Sequence, residues 1–117
     1  MKTYWYSVNY TFRPDLRQLY FKLNKYAPSS DEYIPLWQYE YDHENNVYIY
    51  SYIPGAVIYK CENCENAMEA VFKIKSRILQ NTDNCNVVFG KSFDELMYEE
   101  AVKEYNIKME EINELFE

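Results

Sequence analysis

Residues 37–52 read WQYEYDHENNVYIYSY, a run in which aromatic and polar side chains alternate on both sides of a polar centre. A period of two residues is typical of strands with one buried face. The central residues 43–46 favour a turn, because Asn tolerates a positive φ and caps its own backbone. The run therefore predicts a β-hairpin with strands over 33–42 and 47–53, and Pro35 restricts the first strand to a sheet edge.

On the N-terminal side of this hairpin, the sequence predicts one strand and one helix. Residues 3–12 alternate aromatic and polar side chains, as a strand does. Pro14 suits the first turn of a helix, and Asp15 lies where the helix dipole favours a negative charge. Apolar residues then recur at helical spacing, so we expect a first helix from Pro14 to Tyr26.

Downstream of the hairpin, we expect a helix, a strand and a long helix. Residues 54–55 either kink the second hairpin strand or turn the chain into a further strand at 56–59, and the sequence leaves both open. A second helix is expected to begin near residues 61–63, and the β-branched run 86–89 favours a short buried strand. Residues 92–95 (SFDE) match a capping box that starts a helix running to the C-terminus.

The predicted order of elements is β-α-β-β-α-β-α, which indicates an α+β fold. The economical arrangement is a ferredoxin-like, split βαββαβ antiparallel sheet with an added long C-terminal helix. At 117 residues the chain has the modal size of one domain. We therefore expect a single domain over residues 1–117, with an α+β core at 1–91 and a C-terminal helix at 92–117.

The composition excludes several classes of protein. Aromatic residues make up 19% of the chain, which is too many for a disordered segment. No apolar run reaches the length of a membrane span, and the N-terminus lacks the pattern of a signal peptide, so we expect a cytoplasmic protein. Twelve basic residues against nineteen acidic ones give a net charge of −7, which argues against general nucleic-acid binding.

The charges are segregated along the chain. Residues 1–27 carry five basic side chains and one acidic side chain, whereas residues 28–58 carry five acidic ones and no basic one. Residues 84–117 carry nine acidic and three basic side chains. We expect the basic N-terminal segment to neutralise part of this acidity within the fold, leaving the hairpin and the last helix acidic.

The cysteines give the only motif with a chemical name. Cys61 and Cys64 have the spacing of a redox pair or of half a metal site, or they are incidental thiols. Cys85 and His43 are the other candidate N and S ligands for zinc. If a helix begins at Cys61, then Cys85 and His43 lie at the end of the sheet opposite the Cys61–Cys64 pair. We therefore expect free thiols and no metal. A hairpin at 54–55 would reverse part of this reasoning. No catalytic motif occurs, and we expect a non-enzymatic protein without a cofactor.

The hairpin also predicts an aromatic surface. Trp37, Tyr39 and Tyr41 share one side of its first strand, and the second strand carries a matching row of tyrosines at 48, 50 and 52. If both rows lie on the sheet face away from the helices, they form an exposed platform. Such a platform fits a protein interface or stacking of single-stranded nucleic acid, although the nearby carboxylates repel phosphate. The alternative is that these side chains only stabilise the sheet.

The last helix carries an apolar seam with heptad spacing. Its residues are four and three positions apart in alternation, as in a coiled coil, and they are Tyr98, Val102, Tyr105, Met109, Ile112 and Phe116. The helix is longer than a typical sheet, so we expect it to overhang or to bend back over the tyrosines. Its seam then packs on its own domain or pairs with a partner or a second copy, as in a homodimer.

These features favour a non-enzymatic acidic module that binds a basic protein partner. The sharper hypothesis is an inhibitor that mimics nucleic acid, in which carboxylates occupy the basic groove of a nuclease or another nucleic-acid-binding protein. In composition the chain is similar to the small acidic inhibitors that phages use against restriction and CRISPR nucleases, which would place it in the host cytoplasm. The predicted partner-binding residues are Trp37, Tyr39, Glu40, Tyr41, Asp42, Glu44, Tyr48, Tyr50, Tyr52, Glu99, Glu100, Glu104, Glu110 and Glu111.

Two other functions remain open from the sequence. One is a small dimeric ferredoxin-like domain that binds a ligand or acts as an enzyme through a tyrosine-lined pocket between the sheet and the last helix. The other is nucleic-acid binding through the basic side chains of the predicted first helix.

Overall fold

The computed structural model describes residues 1–28, 35–53, 55–82 and 86–115. Several residues used in the predictions lie outside them, namely 33–34 of the first hairpin strand, Pro54, Cys85, and Phe116 and Glu117 of the last helix. The described elements, in chain order, are the strands β1 (Lys2–Arg13), β2 (Gln18–Lys25), β3 (Leu36–Asp42), β4 (Val47–Tyr52) and β5 (Ala56–Cys64), the helix α1 (Ala67–Asn81), the strand β6 (Asn86–Phe89) and the helix α2 (Lys91–Leu115).

The strands form one sheet in the order β3-β4-β5-β1-β2-β6. All neighbouring strands are antiparallel except β2 and β6, which are parallel. The predicted α+β class is confirmed. The ferredoxin-like arrangement is not, because the described sheet has six strands instead of four and a different strand order.

The predicted helix from Pro14 to Tyr26 is wrong. A short 3-10 turn over Pro14–Leu16 leads to Arg17 in the left-handed region, at φ 48°, and the chain then returns as β2 beside β1. Phe21 and Leu23 are buried on the same face of β2. The segment therefore has the period of a strand, and its antiparallel pairing with β1 overrides the helical spacing of its leucines.

The hairpin over β3 and β4 is confirmed, and the chain turns again after it. Gly55 has a φ of 83°, which glycine adopts without strain, and β5 then runs back beside β4. The second helix was predicted to begin near residues 61–63, but β5 continues through them to Cys64. The helix begins at Ala67, where the side chain of Asn66 accepts a hydrogen bond from the backbone N–H of Glu69.

The hydrophobic core lies between the sheet and the two helices. Tyr6, Val8 and Leu23 from the sheet pack in one cluster with Val71 and Ile74 of α1. Both helices therefore cover the same face of the sheet. We call the opposite sheet face the open face, because neither of these helices packs on it.

The first turns of the helix α2 pack against the sheet, and its C-terminal part extends beyond the domain. It begins at Lys91, and the hydroxyl of Ser92 accepts a hydrogen bond from the backbone N–H of Leu23, instead of acting as the predicted N-cap. Phe93 is fully buried, whereas the side chains beyond residue 104 are all exposed up to Leu115. The molecule is 59 Å long and only 34 by 25 Å across, so the predicted overhang is observed.

None of the helices in the described segments combines the length and the apolar character that a membrane crossing requires.

Candidate interaction surface

The tyrosines of the hairpin lie on the open face. Tyr39 pairs with Tyr50, and Tyr41 pairs with Tyr48, across neighbouring strands. The residues between them point the other way, since Ile49 belongs to the core. The two predicted rows are therefore on the side of the sheet that α1 and α2 leave uncovered.

The aromatic rings on this face form one continuous cluster. Ring centroids are 5.1 Å apart for Tyr39 and Tyr50, and 4.5 Å apart for Tyr41 and Tyr48. The cluster continues across the sheet to β1, where the Trp5 ring lies 5.9 Å from that of Tyr50. We call this set the aromatic cluster, and its members are Trp5, Tyr26, Tyr39, Tyr41, Tyr48, Tyr50 and Tyr52.

A lysine already occupies part of the aromatic cluster. The Lys60 ammonium is 5.3 Å from the centroid of the Trp5 ring and 5.2 Å from that of Tyr48. Its charge is balanced by Glu62, whose carboxylate oxygen is 2.7 Å away. The sequence-based prediction missed Trp5, Tyr26 and Lys60. The alternation of β1 contained the signal for Trp5, since that side chain must face away from the buried Tyr4 and Tyr6.

Three phenol groups of the cluster, those of Tyr48, Tyr50 and Tyr52, have a pKa above the ordinary value and remain protonated near neutral pH. The nearby Glu62 carboxylate raises the pKa of Tyr48. Burial raises the pKa values of Tyr50 and Tyr52. These three tyrosines therefore present neutral rings with electron-rich faces, which attract cations.

Trp37 is predicted as part of the platform but has a different setting. It lies where the β3–β4 register shifts, between the pairs Leu36–Tyr52 and Gln38–Ser51. It is 72% exposed, which is the largest exposed fraction among the aromatic residues of the predicted platform.

Two of the predicted carboxylates lie on the helix side of the sheet. Arg77 of α1 donates to both oxygens of Glu40, at 2.7 and 3.1 Å, and to Asp42 at 3.2 Å. Asp42 is buried and also accepts hydrogen bonds from the backbone N–H groups of Glu44 and Asn45 and from the Asn45 side chain. Burial disfavours its charged form, but the bonds from Asn45 and Arg77 outweigh that effect and lower the pKa of Asp42.

The predicted carboxylates of α2 fall into two groups. Lys25 of β2 lies 2.9 Å from Glu99 and 3.0 Å from Glu100, and Lys2 of β1 lies 3.1 Å from Glu104. The basic N-terminal segment therefore neutralises part of the last helix, as expected. Glu110 and Glu111 are exposed and form no ion pair within the described segments, and the same holds for Glu44 in the β3–β4 turn.

The cysteine pair lies on a strand instead of a helix. Across β1, Lys2 pairs with Cys64 and Tyr4 with Cys61, so β5 has one extra residue there, and Asn63 has a φ of 57°. This bulge turns both thiols into the core, where each is free and fully buried. Burial raises the pKa of Cys61 to about 12 and also raises that of Cys64, so neither thiol is an activated nucleophile.

His43 lies at the same end of the sheet as the two cysteines, and the prediction that placed it at the far end is wrong. The β3–β4 turn and the end of β5 lie at the same end of the sheet, because β4 and β5 are antiparallel. The sheet itself separates the groups, since the exposed His43 packs edge-on against Tyr41 of the open face. In residues 1–28, 35–53, 55–82 and 86–115, no group of three or more His, Cys, Asp or Glu side chains could hold a metal ion.

Some cavities with tyrosines in their lining lie on the helix side of the sheet. One has a volume of about 230 Å³ and is lined by Tyr10, Phe21 and Tyr59, near the C-terminal end of α1. A second, about 220 Å³, lies between α1 and α2 and is lined by Met68, Tyr105 and their neighbours. Both are smaller than the roughly 300–1,000 Å³ typical of ligand pockets. A further cavity of about 340 Å³, lined by Glu40, Tyr59 and Arg77, lies at the lower end of that range.

A scan of the sequence against protein-family models found no match, and searches of curated proteins and of solved structures also found none.

Proposed function

We propose that this chain is a non-enzymatic binding module whose open face binds a basic segment of a protein partner. The observation that carries the proposal is the aromatic cluster, which already holds the ammonium of Lys60 between Trp5 and Tyr48. An arginine or lysine of a partner can bind the remaining ring faces in the same way.

The exposure and composition of the cluster support a protein partner. Tyr39 is 50% exposed at the edge of the sheet, where a partner reaches it without displacing a helix. Tyrosine and tryptophan are enriched in protein interfaces. Residues 28–59 contain no lysine or arginine, and Lys60 is paired with Glu62, so the part of the open face formed by β3, β4 and β5 offers little to neutralise the phosphates of a nucleic acid.

The proposal is tested with a fluorescent nona-arginine peptide and a fluorescent single-stranded oligonucleotide of thymidines. We expect the full-length protein to bind the peptide, with an affinity that falls as salt is added. Tyr39→Ser should weaken binding about fivefold, because one cation–π contact is worth roughly 1 kcal/mol. Fluorescence anisotropy measures both affinities.

The matched control is Tyr10→Ser, which changes the same residue type at an exposed position of β1 on the helix side of the sheet. It should leave the peptide affinity unchanged. Lys60→Met should strengthen peptide binding, because it vacates the position between Trp5 and Tyr48. Equal weakening by the two tyrosine variants, or tighter binding of the oligonucleotide than of the peptide, would contradict the proposal.

The nucleic-acid-mimic version of the proposal rests on fewer carboxylates than the sequence suggested. The net charge of −7 supports it. However, Glu40, Asp42 and three glutamates of α2 already pair with basic side chains of the same chain. In this version, an inhibitor of phage type would have to rely on the unpaired acids Glu44, Glu110 and Glu111.

The acidic version has its own test, a triple variant in which Glu44, Glu110 and Glu111 are changed to lysine. If these acids steer a basic partner, the association rate with a partner captured from the native host should fall at least about tenfold, and its salt dependence should flatten. Stopped-flow association at several salt concentrations measures this. The control is the equivalent triple change to glutamine, which removes charge without reversing it and should have an intermediate effect. An unchanged rate in both variants would contradict the acidic version of the proposal.

The proposal places the protein in the cytoplasm, where buried thiols such as Cys61 and Cys64 remain reduced. The competing hypothesis of a ligand-binding domain uses a tyrosine-lined pocket between the sheet and the last helix. The cavity beside that helix, lined by Met68 and Tyr105, has a volume of only about 220 Å³, which favours the protein-binding proposal.

A further inference from the structure

The apolar seam of α2 lies on the surface of the molecule. Its described residues expose between 38% and 73% of their side chains, and they are Tyr98, Val102, Tyr105, Met109 and Ile112. The helix uses a different side to contact the domain, namely that of Phe93, Met97 and Glu104. The seam is therefore free to contact something other than the domain that carries it.

The neighbouring helix α1 enlarges this apolar surface. Met68 and Phe72 lie one turn apart on α1 and are 65% and 69% exposed. Met68 faces Ala101 and Tyr105 of α2 across the small cavity between the helices. The exposed side chains of both helices therefore form one continuous apolar strip.

We propose that this strip is a self-association surface, on which a second copy of the chain docks its own α2 in the antiparallel direction. The strip consists of the five seam residues together with Met68, Phe72 and Leu115. Taking about 200 Å² for a large side chain, these eight residues expose roughly 900 Å², close to the roughly 800 Å² per partner of a standard interface.

The residues beside the seam favour the antiparallel direction. The edge toward α1 carries Ala101, Lys108 and Leu115, and the edge away from it carries Glu99, Asn106 and Asn113. In an antiparallel pair of helices, the edge toward α1 of one copy contacts the same edge of the other copy. In a parallel pair, the edge toward α1 of one copy contacts the edge away from α1 of the other copy. In the antiparallel pair, Leu115 of the second copy therefore reaches Ala101, beside the exposed Met68 and Phe72.

A parallel pair would instead bring the polar edge of the second copy onto those two apolar side chains. The antiparallel pair also opposes the two helix dipoles. Its one like-charge contact is Lys108 against Lys108, and each of these lysines has Glu104 and Glu111 within one turn of its own helix. In this arrangement the overhanging end of each helix lies on the body of the other copy.

The first experiment compares the mass of the full-length protein with that of two matched variants. At about 100 µM chain, above the micromolar Kd that an interface of this size reaches at its weak end, light scattering should give twice the chain mass of 14.2 kDa. Ile112→Lys places a charge in the seam and should weaken the dimer at least about 30-fold. Ile107→Lys makes the same change on the same helix at a 52% exposed position outside the seam, and should leave the dimer intact.

The second experiment tests the direction of the pair by disulfide cross-linking. In the antiparallel pair the two copies of residue 106 lie close together, so Asn106→Cys should form a covalent dimer under mild oxidation. In a parallel pair the two copies of residue 102 lie close together, so Val102→Cys should not cross-link. The reverse result would overturn the antiparallel direction.

Three outcomes would overturn the self-association itself: a monomeric mass for the wild type at about 100 µM chain, equal weakening of the dimer by both lysine variants, or a dimer Kd for Ile112→Lys, measured by light scattering over a dilution series, that is unchanged from the wild type. Circular dichroism confirms that each variant remains folded. Tyr39→Ser should not change the mass, so this proposal and the open-face proposal succeed or fail separately.

Discussion

Replacement of Asp42 by alanine is expected to lower the free energy of unfolding by about 3 kcal/mol, since it removes one partner of a buried ion pair and leaves hydrogen-bond donors unsatisfied. Asp42 is 7% exposed and accepts hydrogen bonds from Glu44, Asn45 and Arg77. The loss should not be larger, because Arg77 keeps both bonds to Glu40. Urea unfolding followed by tryptophan fluorescence measures it.

The control for this variant is Asp94→Ala, at an aspartate whose side chain is 80% exposed and whose nearest basic partner, Lys75, is 4.0 Å away. It should cost less than about 1 kcal/mol. A cost below about 1 kcal/mol for Asp42→Ala as well would show that the Arg77 network does not stabilise the fold.

The contribution of Asp42 should also depend on pH. Its pKa is lower in the folded protein than in the unfolded chain. Its stabilising effect is therefore complete above the unfolded pKa of about 4 and is lost as the pH falls through the folded pKa. The difference in stability between wild type and Asp42→Ala should shrink in acid and stay constant between pH 6 and pH 8, within roughly 0.5 kcal/mol.

Replacement of Phe93 by alanine is expected to cost about 4 kcal/mol of stability, since a fully buried aromatic side chain is removed and a cavity remains. Phe93 is 0% exposed and packs edge-on against Phe89, with ring centroids 4.9 Å apart. It is the buried contact that anchors the first turn of α2. Its loss should therefore release part of the helix, and circular dichroism should show reduced helix content before the sheet unfolds.

The matched control is Phe12→Ala, at a phenylalanine that is 49% exposed near the end of β1. It should cost about 1 kcal/mol, because less apolar surface leaves a buried environment. Similar costs for the two variants would mean that α2 is held mainly by the ion pairs of Lys2 and Lys25.

The parts of the fold that depend on local pattern could be predicted from the sequence. The β3–β4 hairpin combines alternating side chains with a turn-forming centre, and both signals agree. The segment 18–25 was harder, because Leu19 and Leu23 are spaced for a helix as well as for a strand. What decides it is pairing with β1, and the alternation of Leu19, Phe21 and Leu23 was the local signal for that outcome.

The candidate site depends on contacts that no local pattern contains. Trp5 and Lys60 meet because β1 pairs with β5, and this pairing fixes the strand order. Arg77 lies 35 residues from Asp42 in the chain, so the neutralisation of the hairpin acids could not be assigned to it from the sequence. The bulge at Asn63 likewise converts a spacing typical of a helix start into two buried thiols.

The central position of β1 in the sheet has a consequence for how the chain folds during synthesis. β1 and β2 are consecutive in the chain and form a hairpin, and β3, β4 and β5 are consecutive and form a meander. Each of these two units can therefore assemble as soon as it leaves the ribosome. Joining the two units requires β1 to pair with residues made roughly 50 to 60 positions later, and such long-range pairing is slow. Until then the inner edges of the two units, on β1 and β5, stay unpaired and can pair with another chain.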